Sequence, residues 1–232
     1  MKIRTGLMVL FLAALIAGCG KAPADAGNSE TSTAAAADLQ EKEQEKIQDT
    51  GDIAGSGEPV VLDETMIFGE EGGDGWHITG YASDEKNIIV PEKMNDIPVT
   101  AVGEYVFAGN PIETIVFPDS VTSIGRAQFN SCYELRNVQF GAGLQEIGDL
   151  CFAMCSKLET VVFPEGMKKI DGPCFNSCDR LREIYIPASV EEFGEGIPIL
   201  IRETCPNAIV VTPAGSAAEK ICRENDIPVR NE

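Results

Sequence analysis

Three consecutive segments, IVFPDSVTSIGRAQFNSCYELRN from Ile115, VQFGAGLQEIGDLCFAMCSKLET from Val138 and VVFPEGMKKIDGPCFNSCDRLRE from Val161, write one 23-residue unit three times. Superposition gives apolar columns. Ile115, Val138, Val161 and Ile184 open a strand, and Phe117, Phe140, Phe163 and Ile186 follow two places on. Ile124, Ile147, Ile170 and Phe193 come next, then Phe129, Phe152 and Phe175, then Cys132, Cys155 and Cys178, and last Leu135, Leu158 and Leu181. A unit this short cannot bury its own apolar face. Neighbours must stack and share one core, which predicts a repeat solenoid rather than a globule.

The pattern continues with altered lengths on both sides. Ile88, Val90, Val99, Val102, Phe107 and Ile112 match the later columns, with about five extra residues after Pro91. Downstream, Ile184 to Pro187 starts a coil that loses its convex half around Gly194 to Pro198. The segment from Ile209 reads as a final strand and short helix. Met66 to Tyr81 alternates around a Gly-rich turn, which predicts an amino-terminal cap hairpin. Caps are needed because a last coil would otherwise leave apolar surface and unpaired strand edges in water.

The first residues, MKIRTGLMVLFLAALIAGCGK, combine a basic start, an apolar run too short to span a bilayer and small residues before Cys19. Ile16-Ala17-Gly18-Cys19 resembles the bacterial lipobox, so Cys19 is the expected lipidation site and the chain is expected in the cell envelope, extracytoplasmic or at the surface. Residues 1–18 then form the signal peptide and 19–62 an acidic Ala/Gly/Ser-rich tether with too few apolar side chains to offset ordering entropy. As a coil the tether reaches roughly 35–40 Å. Residues 63–86 are assigned to the cap hairpin, 87–208 to the array and 209–232 to the carboxyl-terminal cap. Formal net charge is -19. That disfavours nucleic acid and anionic headgroups as partners and leaves the N-terminal lipid as the membrane attachment.

Strand, Pro, Ile-Gly, Phe, Cys and Leu in this order resemble the BspA-like leucine-rich repeat of bacterial surface lipoproteins, from about Asn87 to the carboxyl terminus. The closing GSAAEKICRENDIPV is similar to the segment that ends such arrays. Gly141 in place of the post-strand proline, Asp171 in place of a glycine, and Cys151 and Cys174 in place of alanine depart from the family pattern. The resemblance implies a right-handed coil, with a short-stranded parallel sheet on the concave side and short helical turns or loops on the convex side. It also implies adhesion or recognition, in some members of host matrix proteins, and no catalytic residues.

With Ile115 and Phe117 inward, the outward column becomes Ile89, Val116, Gln139, Val162, Tyr185 and Val210. Beside it run Asn87, Thr114, Asn137, Thr160, Glu183 and Ala208. An apolar strip with polar flanks is what a protein-binding face tends to look like, although β-branched residues also favour strands for their own sake. Ile89, Val116, Gln139, Val162, Tyr185, Asn137, Thr160 and Glu183 are the candidate binding residues, with Tyr185 as anchor. Lys86, Glu113, Arg136, Glu159 and Arg182 form a further column whose predicted role is ion pairing between coils.

Excluding Cys19, seven cysteines remain, and most fall in repeat columns, so they read as small core residues rather than zinc ligands. Cys155 with Cys178 and Cys151 with Cys174 come within disulfide reach on adjacent coils, and Cys205 with Cys222 is the terminal pair to test first. His77, the single histidine, has no nucleophile or carboxylate placed by spacing, and no phosphate or dinucleotide loop occurs. No enzyme, metal or cofactor is expected. The expected function is lipid-anchored recognition of a protein, either host matrix or, as the alternative, a partner in the producing cell's own envelope. A solute-binding lipoprotein is a third reading, disfavoured because a 23-residue period leaves no interlobe cleft.

Overall fold

The computed structural model describes residues 57–195, 201 and 204–232. The expected signal segment, Cys19 and the expected tether up to residue 56 lie outside them. Each coil contributes two short strands. The first set is β4 (Asn87–Ile89), β7 (Thr114–Val116), β9 (Asn137–Gln139), β11 (Thr160–Val162) and β13 (Glu183–Tyr185). All their pairings are parallel and in the register of the repeat, Ile88 to Ile115 to Val138 and Val161 to Ile184. The second set is β8 (Ser123–Ile124), β10 (Glu146–Ile147), β12 (Lys169–Ile170) and β14 (Glu192–Phe193), again parallel. Sequence reading found the Ile124 column but not its strand character. A two-residue strand gives no alternation to detect, and the Ile-Gly pair reads as a turn.

Between the sheets runs the core. Phe107, Phe129, Phe152 and Phe175 stack in one file with ring centroids 5.4–6.0 Å apart, and Phe117, Phe140 and Phe163 in a second at 5.6–6.0 Å. The files meet edge to face or tilted at 6.2–6.4 Å, an arrangement that opposes the positive ring edge to the negative face. Gly125 and Gly148 occupy the Ile-Gly column because neighbouring coils close on them. A Cβ at Gly148 would lie 2.5 Å from the Arg126 nitrogen.

The cysteine column is a hydrogen-bond ladder. Cys132 Sγ donates to the Phe107 carbonyl at 3.0 Å, Cys155 to Phe129 at 3.2 Å and Cys178 to Phe152 at 2.9 Å. Each of these carbonyls also accepts a backbone amide of its own coil, so the thiol is a second donor that links one coil to the preceding one. Cys205, expected in the terminal cap, continues the ladder by donating to Phe175 at 2.8 Å. All seven described cysteines are free and buried, Cys205 and Cys222 included.

At the amino-terminal end, β2 (Ile67–Glu71) and β3 (Trp76–Tyr81) form the expected antiparallel hairpin. It caps the second sheet, with β3 parallel to β6 (Ile97–Val102), which in turn pairs with β8. His77 Nε2 lies 2.6 Å from Asp74 Oδ1, so the single histidine closes the hairpin turn and holds the Asp74 carboxyl below its usual range. The extra residues after Pro91 make β5 (Lys93–Met94), which turns back on β6 through Asn95 and Asp96, both left-handed at φ 51° and 65°. Two consecutive left-handed residues are the turn that matches strand twist in a tight hairpin.

The tether boundary at residue 62 is corrected. Val60–Val61 form β1, paired with Ile88 and Ile89, and Leu62 is buried in the core. At the other end β15 (Ile209–Thr212) pairs with β13, and β16 (Val229–Asn231) extends the sheet beyond it. Helix α1 (Ala217–Glu224) covers this end; the Ser216 hydroxyl accepts from the Glu219 amide, an N-cap.

Candidate functional site

The outward positions of the first sheet follow from its register. Val61, Ile89, Val116 and Gln139 align on the first four strands, and Val162, Tyr185, Val211 and Arg230 on the last four. Beside them run Asn87, Thr114 and Asn137, then Thr160, Glu183 and Ile209. The candidate residues Ile89, Val116, Gln139, Val162, Tyr185, Asn137, Thr160 and Glu183 therefore do share one face, each partly exposed. Val210 and Ala208 do not. The last coil is one residue longer than the expected alignment, so both turn into the core and Val211 and Ile209 take their places, Val211 itself buried.

Two members of this face escaped sequence reading. Val61 is 56% exposed and was assigned to the tether. Arg230 belongs to a strand after the helix, where no repeat remained to phase it. Arg230 donates to Glu183 at 2.8 Å and to the Tyr185 hydroxyl at 3.4 Å, while that hydroxyl donates to Glu183 at 3.0 Å. The expected aromatic anchor is thus held by a neutralised pair. On the flanking ladder the Thr114 hydroxyl donates to Asn87 Oδ1 at 2.9 Å.

The sheet is not continuous. β1, β4, β7 and β9 form one hydrogen-bonded block and β11, β13, β15 and β16 another. The seam falls between Gln139 and Val162, and the inward residues on its β9 side show more surface than those on its β11 side: Val138 is 7% exposed and Phe140 8%, against 1% and 3% for Val161 and Phe163. Gly141 and Gly143 bring this coil close to the preceding one, their backbones lying where a Cβ would meet the Pro118 and Asp119 carbonyl oxygens at 2.2 and 2.0 Å. Replacement of the usual proline by glycine thus draws the coil to one side of the seam.

Where the chain enters β11, β13 and β15, Glu159, Thr160, Asp179, Arg180, Arg182, Glu183, Asn207 and Ile209 line an open depression of about 600 Å³. The expected ion-pair column is realised only at its start, Lys86 to Glu113 at 3.0 Å. Among the described residues, no ion pair joins Arg136 to Glu113 or Glu159. Pairing between coils is found instead at Lys157–Glu134 and Arg126–Asp149, at 2.5 and 3.0 Å. Exposed side chains at a strand entry gain too little from pairing to be held there.

A model described as the BspA type leucine rich repeat region matches residues 84–197 in six copies. The array matches that repeat type. Among solved structures, the chain is similar to a leucine-rich repeat protein of T. pallidum, at 28% identity over 66% of this chain and 71% of that one, with a TM-score of 0.62. A leucine-rich repeat protein from Bacteroides capillosus ATCC 29799 is also 28% identical, over 64% of this chain and 96% of that one, with a TM-score of 0.43. A leucine-rich cell surface protein from Faecalibacterium prausnitzii A2-165 is 22% identical over 68% of this chain and 56% of that one, TM-score 0.44. No relative was found among curated proteins. Among the described residues, no helix is long and apolar enough to cross a membrane.

Proposed function

We propose that this chain is a recognition protein displayed at the cell envelope, tethered through a lipid on Cys19, which binds a protein partner on the outward face of the first sheet. One observation carries the reading. From β4 to β11 the outward positions Asn87, Ile89, Thr114, Val116, Asn137, Gln139, Thr160 and Val162 include no ionisable group, in a chain that is 24% charged. Protein interfaces are depleted of charge at their centres and polar at their rims. Tyr185 adds a semi-rigid aromatic at one end of the strip, one of the residue types enriched among binding hot spots.

The test uses the chain with Cys19→Ser, immobilised and exposed in parallel to host extracellular matrix and to envelope extract of the producing cell. A specific partner should be retained, and Tyr185→Ala and Val116→Asp should each release it. Retention from matrix identifies an adhesin; retention from envelope identifies a scaffold. Retention unaffected by either substitution would overturn the face assignment. Radiolabelled palmitate should enter the native chain and not Cys19→Ser, and equal incorporation would remove Cys19 as the anchor.

A further inference from the structure

One residue on the convex side is not explained by packing. Gly109, Ser131, Met154 and Ser177 take the same place in successive coils, the amides of the first three donating to Asn130, Ala153 and Asn176 of the next coil. All four are left-handed, at φ 71°, 63°, 62° and 58°. Glycine suits that conformation and a long thioether does not. Met154 is also 41% exposed, so its side chain fills no gap in the core. Among the described residues it carries the most exposed sulfur: Met94, Met167 and all seven cysteines are buried, and Met66 packs against the core. Two hydroxyls of the preceding coil point at that sulfur. The Tyr133 hydroxyl donates to Met154 Sδ at 3.9 Å and the Ser131 hydroxyl at 3.7 Å, the latter sharing its single proton with Asn130 Oδ1 at 2.8 Å. A thioether is a weak acceptor, so both donors are poorly used in the reduced chain.

We infer that Met154 is an oxidation site, at which a hydroperoxide converts the thioether to a sulfoxide whose oxygen is held by the Tyr133 and Ser131 hydroxyls. A lone pair of the sulfur attacks the terminal peroxide oxygen. The S–O bond forms as the O–O bond breaks, and the proton on the transferred oxygen passes to the departing one, giving water from hydrogen peroxide or an alcohol from an organic hydroperoxide. Sulfur loses two electrons and the peroxide gains them. The new oxygen carries partial negative charge, accepts far better than the sulfur did, and stands on the side from which both hydroxyls already point. An exposed apolar group becomes a polar link between two coils. The conversion is reversible, because sulfoxide is the one rung of methionine oxidation that cells reduce again. The inference is independent of the recognition face and of where the chain resides.

To test it, the full chain is treated with dilute hydrogen peroxide, and peptide mapping follows the oxygen added at Met66, Met94, Met154 and Met167. In the folded chain Met154 should react roughly ten times faster than the other three or more, and in urea the four rates should converge. The oxidised chain should melt about 2 °C above the reduced one, the shift that one added hydrogen bond gives a domain of this size, and methionine sulfoxide reductases should reverse it. Met154→Leu should lose the shift. Tyr133 is exposed and Ser131 partly so, and the double variant Tyr133→Phe with Ser131→Ala should therefore fold. It should still be oxidised at Met154 but melt lower afterwards, not higher. Oxidation of Met66 as fast as Met154, or a shift that is absent, negative or unchanged in the double variant, would each overturn the inference.

Discussion

The same coil builds two sheets, and they treat water differently. Inward, the columns match: Ile115, Val161 and Ile184 on the first sheet are as buried as Ile124, Ile147 and Ile170 on the second. Outward they diverge. The second sheet aligns Ser123 with Glu146, Lys169 and Glu192, the last three being charges of alternating sign at successive coils. Lys169 is held protonated first by Asp171 at 3.2 Å and then by Glu146 and Glu192 on either side. The first sheet offers aliphatic, amide and hydroxyl groups instead. Short parallel strands in this molecule are therefore stable with a charged outward column, and strand propensity does not by itself account for the uncharged one.

Phe152, stacked between Phe129 and Phe175, belongs to the core both sheets share. Phe152→Ala should cost about 3–5 kcal/mol in urea unfolding, as one transition. Loss of one sheet alone would show that the sheets are separate units. Alkali probes the same core through its thiols, since burial pushes Cys132 and Cys222 up to about 11. The unfolded chain releases these protons first. Stability is therefore complete below pH 9 and lost as pH rises through 9 towards 11, by about 2 kcal/mol for Cys132 alone. A urea midpoint flat from pH 8 to 10.5 would contradict this, and Cys132→Ala should lessen the slope.

Gln128 tests whether polarity inside the coil serves either face. It is wholly buried, and neither amide atom has a partner. Its column otherwise holds Val106, Cys151 and Cys174. Gln128→Leu should stabilise the fold by about 1–2 kcal/mol and leave partner binding unchanged. Destabilisation would mean the amide is satisfied within the coil. Smallest is Lys169→Ala, expected to leave the urea midpoint essentially unchanged, because exposed ion pairs contribute little. A larger loss would make the charges of the second sheet structurally necessary.

Sequence legibility follows the repeat. Between Ile115 and Tyr185 each buried column was readable, because three aligned copies separate what a coil must keep from what it can vary. The candidate face was readable there for the same reason. At the ends the register had no second copy to check it: Val61 was lost to the tether, Val210 was placed outward and Arg230 was missed. Cys205 was read as a cap residue because its coil is longer than 23 residues. The second sheet stayed hidden because Ile-Gly carries one inward residue per strand. Its role is visible only when Ile124 and Ile147 are seen in register.

Recognition by the first sheet, and not the second, can be tested by placing one charge on each. The most direct measurement is the affinity of the retained partner for two variants that add the same charge to opposite sheets, Val162→Lys and Ser123→Lys. Both positions are partly exposed, so both variants should fold. Val162→Lys should weaken Kd at least tenfold, and Ser123→Lys should change it less than twofold. Equal effects, or a larger loss at Ser123, would contradict it.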